Sequence, residues 1–253
     1  MPSFAFQFIV LFCVGAVAGF INILAAGGSL LTLPTLVFLG LPTTVANGTN
    51  RIGILIQNLV AIAGFHQHNL FPWRVSVLAA LPAIAGAVLG AQLAIDIPDE
   101  VFKRVLAGIM IGVLILMIFD PAKRLRAERR PMTWWRGTLF AFGFFGVGLF
   151  GGFIQAGVGF LIILLMLLDG FDLVAINAVK VFVVFIFTIA ALAVFIWHNQ
   201  VDYVLGIALG LGNALGGWLA TRFAVKKGHN WIRGFVIITV IMFSLQLLID
   251  SFR

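Results

Sequence analysis

The sequence predicts an all-α polytopic membrane bundle. It has two homologous repeats, each with a glycine-broken or re-entrant helix pair and about three full transmembrane helices. Three observations predict this class: the composition, a series of apolar runs, and a correspondence between the two halves. Of the 253 residues, 62% are hydrophobic, 10% are charged, and mean hydropathy is +1.15. Soluble proteins carry about 25% charged residues, and a soluble domain of this length lacks the interior to bury so much apolar surface.

Six apolar runs are predicted to cross the membrane, because about 20 apolar residues span a bilayer as a helix. They are 44–68, 74–95 and 101–119 in the first half and 172–197, 203–221 and 231–250 in the second. The first repeat is accordingly placed at 1–119 and the second at 137–253. A removable signal peptide is not expected, since the apolar residues 4–24 follow no basic segment and end in no clean cleavage site.

Two further apolar stretches, 4–40 and 137–169, are too long for one span and are interrupted by glycine-rich segments. The first segment contains Gly27 and Gly28, and the second contains Gly157. After each break about a dozen apolar residues remain, or about 16–18 Å of helix, which is too short to cross a bilayer. Each stretch is therefore predicted to be a broken helix or a re-entrant hairpin. Its unpaired backbone groups would line a watery cavity, with close helix packing through glycine as the alternative.

An offset of 129 residues aligns the two halves of the chain. Gly28 then falls on Gly157, and Arg51 falls on Lys180. Matches between Leu or Ala residues carry little weight in so apolar a chain, so the glycines and the basic pair carry the inference. Two repeats follow, joined by a basic linker at 120–136.

Basic residues are concentrated in a few short segments of the chain. The protein has a net charge of +7, and the linker at 120–136 and the segment at 222–233 each contribute +4. Such clusters are typical of cytoplasmic loops, so we place the linker on the cytoplasmic side of the cell inner membrane. No nucleic-acid binding is expected, because no domain outside the membrane could present a basic face.

The orientation of the second repeat depends on how the broken stretches run. If each is a hairpin, each repeat crosses the membrane three times and the second is inverted, with both basic clusters inside. If each crosses once, the repeats are parallel. The positive-inside bias favours inversion, which is common among transporters.

Short glycine-rich motifs run along nearly the whole chain. They are Leu33-Pro34, Gly40-Leu41-Pro42, Val45-Ala46-Asn47-Gly48-Thr49-Asn50, Trp73, Gly86-x-x-Leu89-Gly90, Phe102-Lys103-Arg104 and a second-half counterpart at Asp202-Tyr203. Together they resemble the sulfite exporter TauE/SafE family, although members commonly carry Gly-Thr-Ser where this chain has Gly48-Thr49-Asn50. The resemblance implies a bacterial-type inner-membrane permease for small sulfur-containing anions, such as sulfite, sulfoacetate or other organosulfonates.

Arg51 and Lys180 are the candidate anion-binding cations. They are repeat mates, and each lies near the start of a span and away from the loop clusters. A cation near the membrane interior is costly and usually marks a pathway; a side chain that snorkels to the interface is the alternative. We predict that the two supply positive charge from opposite sides of a central anion site.

Neutral groups near the breaks are predicted to complete this substrate site. They are Asn47, Thr49, Asn50, Gln155 and Asn177, with the backbone at Gly27, Gly28 and Gly157. The N-termini of half-helices present N–H groups that suit an oxyanion. Asn and Thr also join helices by hydrogen bonds, which is the structural alternative.

These features predict a secondary transporter that works by alternating access at a midplane site between the repeats, with an anion channel as the alternative. Enzymatic activity is not expected, because the chain has no nucleophile–base arrangement, metal-ligand cluster or phosphate-binding glycine loop. No cofactor or metal is predicted. The expected partners are a small anion and the lipid bilayer; a coupling ion (proton or sodium) and a homodimer stay open.

Overall fold

The computed structural model describes residues 4–25, 27–67, 71–119, 133–223 and 241. The predicted span at 231–250, apart from residue 241, and most of the predicted linker lie outside these residues. The described part of the chain forms nine helices and no strand. They are α1 (Phe4–Ala25), α2 (Ser29–Phe38), α3 (Thr43–Gln67), α4 (Trp73–Ile95), α5 (Asp99–Phe119), α6 (Trp134–Phe153), α7 (Val158–Leu168), α8 (Leu173–Trp197) and α9 (Tyr203–Phe223).

Five of these helices, α1, α4, α6, α8 and α9, are long and apolar enough to cross a membrane. The prediction of an all-α, multi-pass membrane protein is therefore confirmed. Helices α2 and α7 have only 10 and 11 residues, or about 15–17 Å at 1.5 Å per residue. They are the short segments that the sequence predicts after each glycine break.

Both interrupted stretches form helical hairpins. In the first, α2 runs back along α1, so that the side-chain amide of Gln7 donates to the carbonyl of Leu39 at 3.2 Å. In the second, a guanidinium nitrogen of Arg136 lies 2.6 Å from a carboxylate oxygen of Asp169. These contacts join the start of each long helix to the end of the short helix that follows. Of the two arrangements expected from the sequence, the structure has the hairpin.

Glycine permits the two hairpin turns for different reasons. A Cβ on Gly28 would overlap the carbonyl oxygen of Ala18 on α1, so the turn lies directly against the helix backbone. Gly157 has a φ of +80°, a left-handed conformation that other residues rarely adopt. The first turn thus lies against the helix that precedes it, whereas the second depends on a backbone conformation that glycine favours.

Helices from the two halves of the chain pack into each other. Helix α1 packs along α9, and α6 packs along α4. At the centre, α3 contacts α8, while α9 also packs on α3 and α4 also packs on α8. The two candidate cations therefore lie on the central helix pair.

Small residues allow α6 to pack very close to α4. A Cβ on Gly148 or Gly152 of α6 would overlap backbone atoms of Ala83 or Ala87 on α4. Helices in membranes associate through such close contacts, because lipid supplies little hydrophobic force between them. These glycines are therefore structural.

Gly148→Ala is expected to lower the thermal unfolding midpoint of the purified protein in detergent. The added methyl group would collide with the carbonyl of Ala83, a backbone group that cannot rotate away, and such overpacking costs about 1–3 kcal/mol. Gly146→Ala on the same helix is the matched control, since nothing lies within 4 Å of a Cβ placed there. Equal midpoints for the two variants would contradict the close α6–α4 contact.

Candidate functional site

Arg51 on α3 binds the C-terminal end of α6. Its side chain is 0% exposed, and its guanidinium donates to the carbonyl of Gly151 at 3.1 Å and to that of Gly152. One turn earlier on α3, the amide of Asn47 donates to the carbonyl of Phe153 at 2.7 Å. Two side chains of one helix therefore hold three successive carbonyls of another.

These contacts complete the end of α6. A helix leaves its last four carbonyls without partners inside the helix, and they carry partial negative charge. The fourth carbonyl at this end, that of Phe150, accepts the N–H of Ile154 at 2.8 Å. The charge of Arg51 is also in contact with Phe195, whose ring centroid lies 4.6 Å from Cζ. Of the guanidinium nitrogens, Nε alone lacks a hydrogen-bond partner.

Lys180 on α8 makes the corresponding contacts with the end of α1. Its side chain is 4% exposed. The ammonium donates to the carbonyls of Asn22 at 3.1 Å and Ile23 at 3.4 Å, and to the side-chain oxygen of Asn177 at 2.8 Å. Three acceptors match the three N–H groups of a protonated lysine.

The two cations are therefore arranged reciprocally, each on the central helix of one half and each bound to a hairpin of the other half. Neither forms an ion pair with a carboxylate of the described residues. Both are buried, whereas a snorkelling side chain places its charge at the membrane surface. Both cations instead donate to neutral carbonyls at helix ends, which carry partial negative charge.

A polar cavity lies beside Lys180, between the two hairpin turns. It is lined by Asn22, Ile23 and Ser29 of the first hairpin, Gln155, Val158 and Gly159 of the second, Ile54 and Asn58 of α3, and Lys180, Val181 and Val184 of α8. Helix α2 begins at Ser29 and α7 begins at Val158. The cavity thus meets the N-terminal ends of both short helices, where the turn carbonyls of Gly27, Gly28 and Gly157 accept the N–H groups of Leu30, Leu31 and Phe160.

Two amide groups on the cavity wall have an atom without a partner. They are Nδ2 of Asn58 and Oε1 of Gln155, on side chains that are almost completely buried. Buried polar atoms in proteins are nearly always hydrogen-bonded. A small anion could accept a hydrogen bond from the unpaired Asn58 amide, beside a buried lysine and two helix N-termini, whereas Oε1 of Gln155 requires a donor.

Some of the predicted site residues line the cavity, and the others hold the helices and turns around it. Lys180 and Gln155 line the cavity, and Asn177 holds Lys180. Thr49 instead accepts the N–H of Asp202 at 2.9 Å, so it fixes the start of α9.

The remaining predicted residues support the hairpins. Asn50 accepts a 2.6 Å hydrogen bond from Thr32 on α2. Gly27, Gly28 and Gly157 form the turns, while Arg51 and Asn47 bind α6. None of these residues lines the cavity beside Lys180.

Asn58 is a candidate ligand-contacting residue that the sequence reasoning missed. It lies seven positions after Arg51, a separation that places two residues on the same face of a helix. With Asn47 and Arg51 it forms a polar stripe on α3 that a search at helical spacing detects. Ser29 and Asn22 had no comparable signal, because only the fold brings them to the cavity.

Comparison with known proteins agrees with this architecture. The family model described as "Sulfite exporter TauE/SafE" matches residues 11–247. A probable membrane transporter protein of Sinorhizobium sp. is 29% identical over 99% of this chain and 96% of its own length. Probable membrane transporter proteins of Haemophilus influenzae and Escherichia coli K12 are each 28% identical over 96% of this chain, and over 94% and 90% of their own lengths. No solved structure matches the chain.

Proposed function

Because the chain belongs to the sulfite exporter TauE/SafE family of membrane transporters, we propose that it is a secondary transporter of small sulfur-containing anions. Sulfite, sulfoacetate and other organosulfonates are the proposed substrates. The observation that carries the proposal is the cavity between the hairpin turns, which is lined by Lys180 and by Asn58, whose amide nitrogen has no partner. A sulfonate presents three oxygens, which several converging donors can bind together.

The proposed site consists of the cavity and the residues that hold its walls. Lys180 and Gln155 contact the anion, and Asn177 orients Lys180. Their supports are Arg51, Asn47, Thr49 and Asn50, with the turns at Gly27, Gly28 and Gly157. This assignment keeps every residue predicted from the sequence but divides the set into contacts and supports.

The proposed mechanism is alternating access between two repeats that meet at the cavity. Support comes from the equivalent packing of the two halves, in which Gly15 and Gly19 of α1 meet the α9 backbone as Gly148 and Gly152 of α6 meet that of α4. Sites at the interface of two repeats can open to either side by rocking one repeat against the other. A coupling ion, proton or sodium, remains part of the proposal without an assigned residue.

Inverted repeats are the proposed arrangement. Each hairpin brings the start of its long helix close to the end of its short helix, as the Gln7–Leu39 and Arg136–Asp169 contacts indicate. A hairpin that returns to its starting side adds no net crossing, so three further helices per repeat give an odd number. The second repeat is then inverted, and both basic clusters lie on the cytoplasmic side, as the positive-inside bias favours.

Purified protein in liposomes is expected to take up labelled sulfonate in a saturable manner, and unlabelled sulfonate trapped inside is expected to accelerate that uptake. Such trans-stimulation arises because a loaded carrier returns across the membrane, whereas a channel has no carrier step. Vesicles without protein provide the background. Uptake that rises linearly with concentration and is not accelerated by the internal anion would favour the channel. Uptake no greater than in vesicles without protein would reject the tested sulfonate as a substrate.

A further inference from the structure

We propose that the cavity selects singly charged anions, with Lys180 as the one cation of the described site that touches the ligand. This inference rests on the proposed function and names the charge class of its substrate. It excludes a direct contact between the anion and Arg51, the repeat mate of Lys180.

The guanidinium of Arg51 is already engaged by groups outside the cavity. Its two terminal nitrogens donate to the carbonyls of Gly151 and Gly152, and the guanidinium lies against the ring of Phe195. Arg51 is absent from the cavity wall. Its charge therefore balances the C-terminal end of α6 and is not presented to a ligand.

Lys180 differs from Arg51 because it lines the cavity. All three of its N–H groups are engaged by the carbonyls of Asn22 and Ile23 and by Asn177. An incoming anion must therefore replace at least one of these acceptors. The carbonyl of Ile23 accepts at 3.4 Å. If an anionic oxygen replaced it, the ammonium would keep three acceptors, and the new hydrogen bond would be stronger because both partners are charged.

The other groups on the wall are neutral. Asn58 contributes an unpaired amide donor, and Ser29 and Val158 begin the two short helices. In each hairpin the C-terminal end of one helix lies next to the N-terminal end of the following helix, so their partial charges largely offset each other. Among the residues that the structure describes, no Asp or Glu lines the cavity, so their formal charge there is the +1 of Lys180.

A singly charged anion neutralises such a site, whereas a doubly charged anion leaves one negative charge without a counter-charge in a water-poor interior. Uncompensated buried charges are strongly unfavourable. We therefore expect alkylsulfonates and hydrogen sulfite to be preferred over sulfate, thiosulfate and sulfoacetate. Size does not explain this preference, because sulfoacetate and the singly charged isethionate are both two-carbon sulfonates.

The test compares isethionate with sulfoacetate for binding and for transport by the full-length protein. Binding is measured as the anion-dependent rise in the thermal unfolding midpoint, and transport as uptake into liposomes. The expected result is an apparent affinity for isethionate at least about tenfold higher. Equal affinities, or a preference for sulfoacetate, would overturn the inference and leave the proposed function standing. If neither of these anions nor sulfite binds or is transported, the proposed function fails and the inference fails with it.

Two variants test the assignment of the charge itself. Asn58→Lys adds a second cation to the cavity wall and is expected to reverse the preference in favour of sulfoacetate. Arg51→Lys keeps a positive charge on α3 but loses the two-pronged contact with α6, so it is expected to lower the unfolding midpoint while the isethionate-to-sulfoacetate affinity ratio stays unchanged. A ratio that changes in Arg51→Lys, or persists unchanged in folded Asn58→Lys, would contradict the assignment.

Discussion

Lys180→Gln is expected to reduce anion uptake into liposomes by about thirtyfold or more, because truncating one partner of a buried charge contact costs about 2–5 kcal/mol. The substitution removes the ammonium that faces the cavity, so a bound anion would be buried without a counter-charge. The glutamine amide can still donate to the carbonyls of Asn22 and Ile23, so the end of α1 keeps hydrogen-bond donors. We therefore expect the variant to fold and to lose the stabilisation that isethionate gives to the wild-type protein.

Two further substitutions separate the charge from the side chain. Lys180→Arg retains the positive charge in a larger group, so it is expected to keep part of the uptake at reduced affinity. Lys103→Gln makes the same chemical change on α5, outside the cavity, and is expected to leave uptake unchanged. Wild-type uptake in folded Lys180→Gln would reject Lys180 as the anion-binding cation, and equal losses in Lys103→Gln would point to a general effect of net charge.

Local sequence patterns sufficed to predict the elements that carry the site. The glycines at 27–28 and 157 mark both hairpin turns: a larger residue at Gly28 would collide with α1, and Gly157 has a positive φ that other residues rarely adopt. The apolar runs predict the long helices, and the isolated positions of Arg51 and Lys180 mark them as unusual cations. Each of these signals lies within one short segment and needs no knowledge of the packing.

The partners of those cations could not be predicted in the same way. Arg51 binds carbonyls about 100 positions later in the chain, and Lys180 binds carbonyls in the first hairpin. Such pairs depend on how α1 and α6 insert into the opposite halves, which no local pattern records. For the same reason, the sequence does not distinguish the two cations, although Lys180 lines the cavity and Arg51 does not.

The choice between a broken helix and a hairpin also depended on long-range contacts. Gln7 and Leu39 lie at opposite ends of the first stretch, as Arg136 and Asp169 do in the second. Gln7, Arg136 and Asp169 are ordinary polar or charged residues near span ends, and Leu39 takes part only through its backbone carbonyl, so composition alone does not mark these pairs. Only their pairing shows that each short helix returns along the long one.

Arg51→Gln is expected to have the largest effect on stability. The substitution removes the donors of two buried carbonyls at the end of α6 and the guanidinium that packs on Phe195. The glutamine amide ends where Nε of arginine lies and does not reach the two carbonyls; each buried acceptor left without a donor costs about 1–3 kcal/mol, which predicts a total loss of about 2–6 kcal/mol. The thermal unfolding midpoint in detergent should fall well below that of the wild-type protein, and proteolysis should cut the region around α6 sooner.

The same reasoning distinguishes Arg51 from an exposed arginine and from Lys180. Arg74→Gln at the exposed start of α4 is expected to leave the unfolding midpoint unchanged, because its side chain binds no helix end in the core. In liposomes, the Arg51→Gln protein that remains folded should keep the wild-type preference for isethionate over sulfoacetate, since its lost charge did not face the ligand. If the Arg51→Gln protein were as stable as the wild-type protein but lost its anion affinity, the assignment would be wrong. Arg51 would then bind the anion and would contact the α6 carbonyls only when no anion is bound.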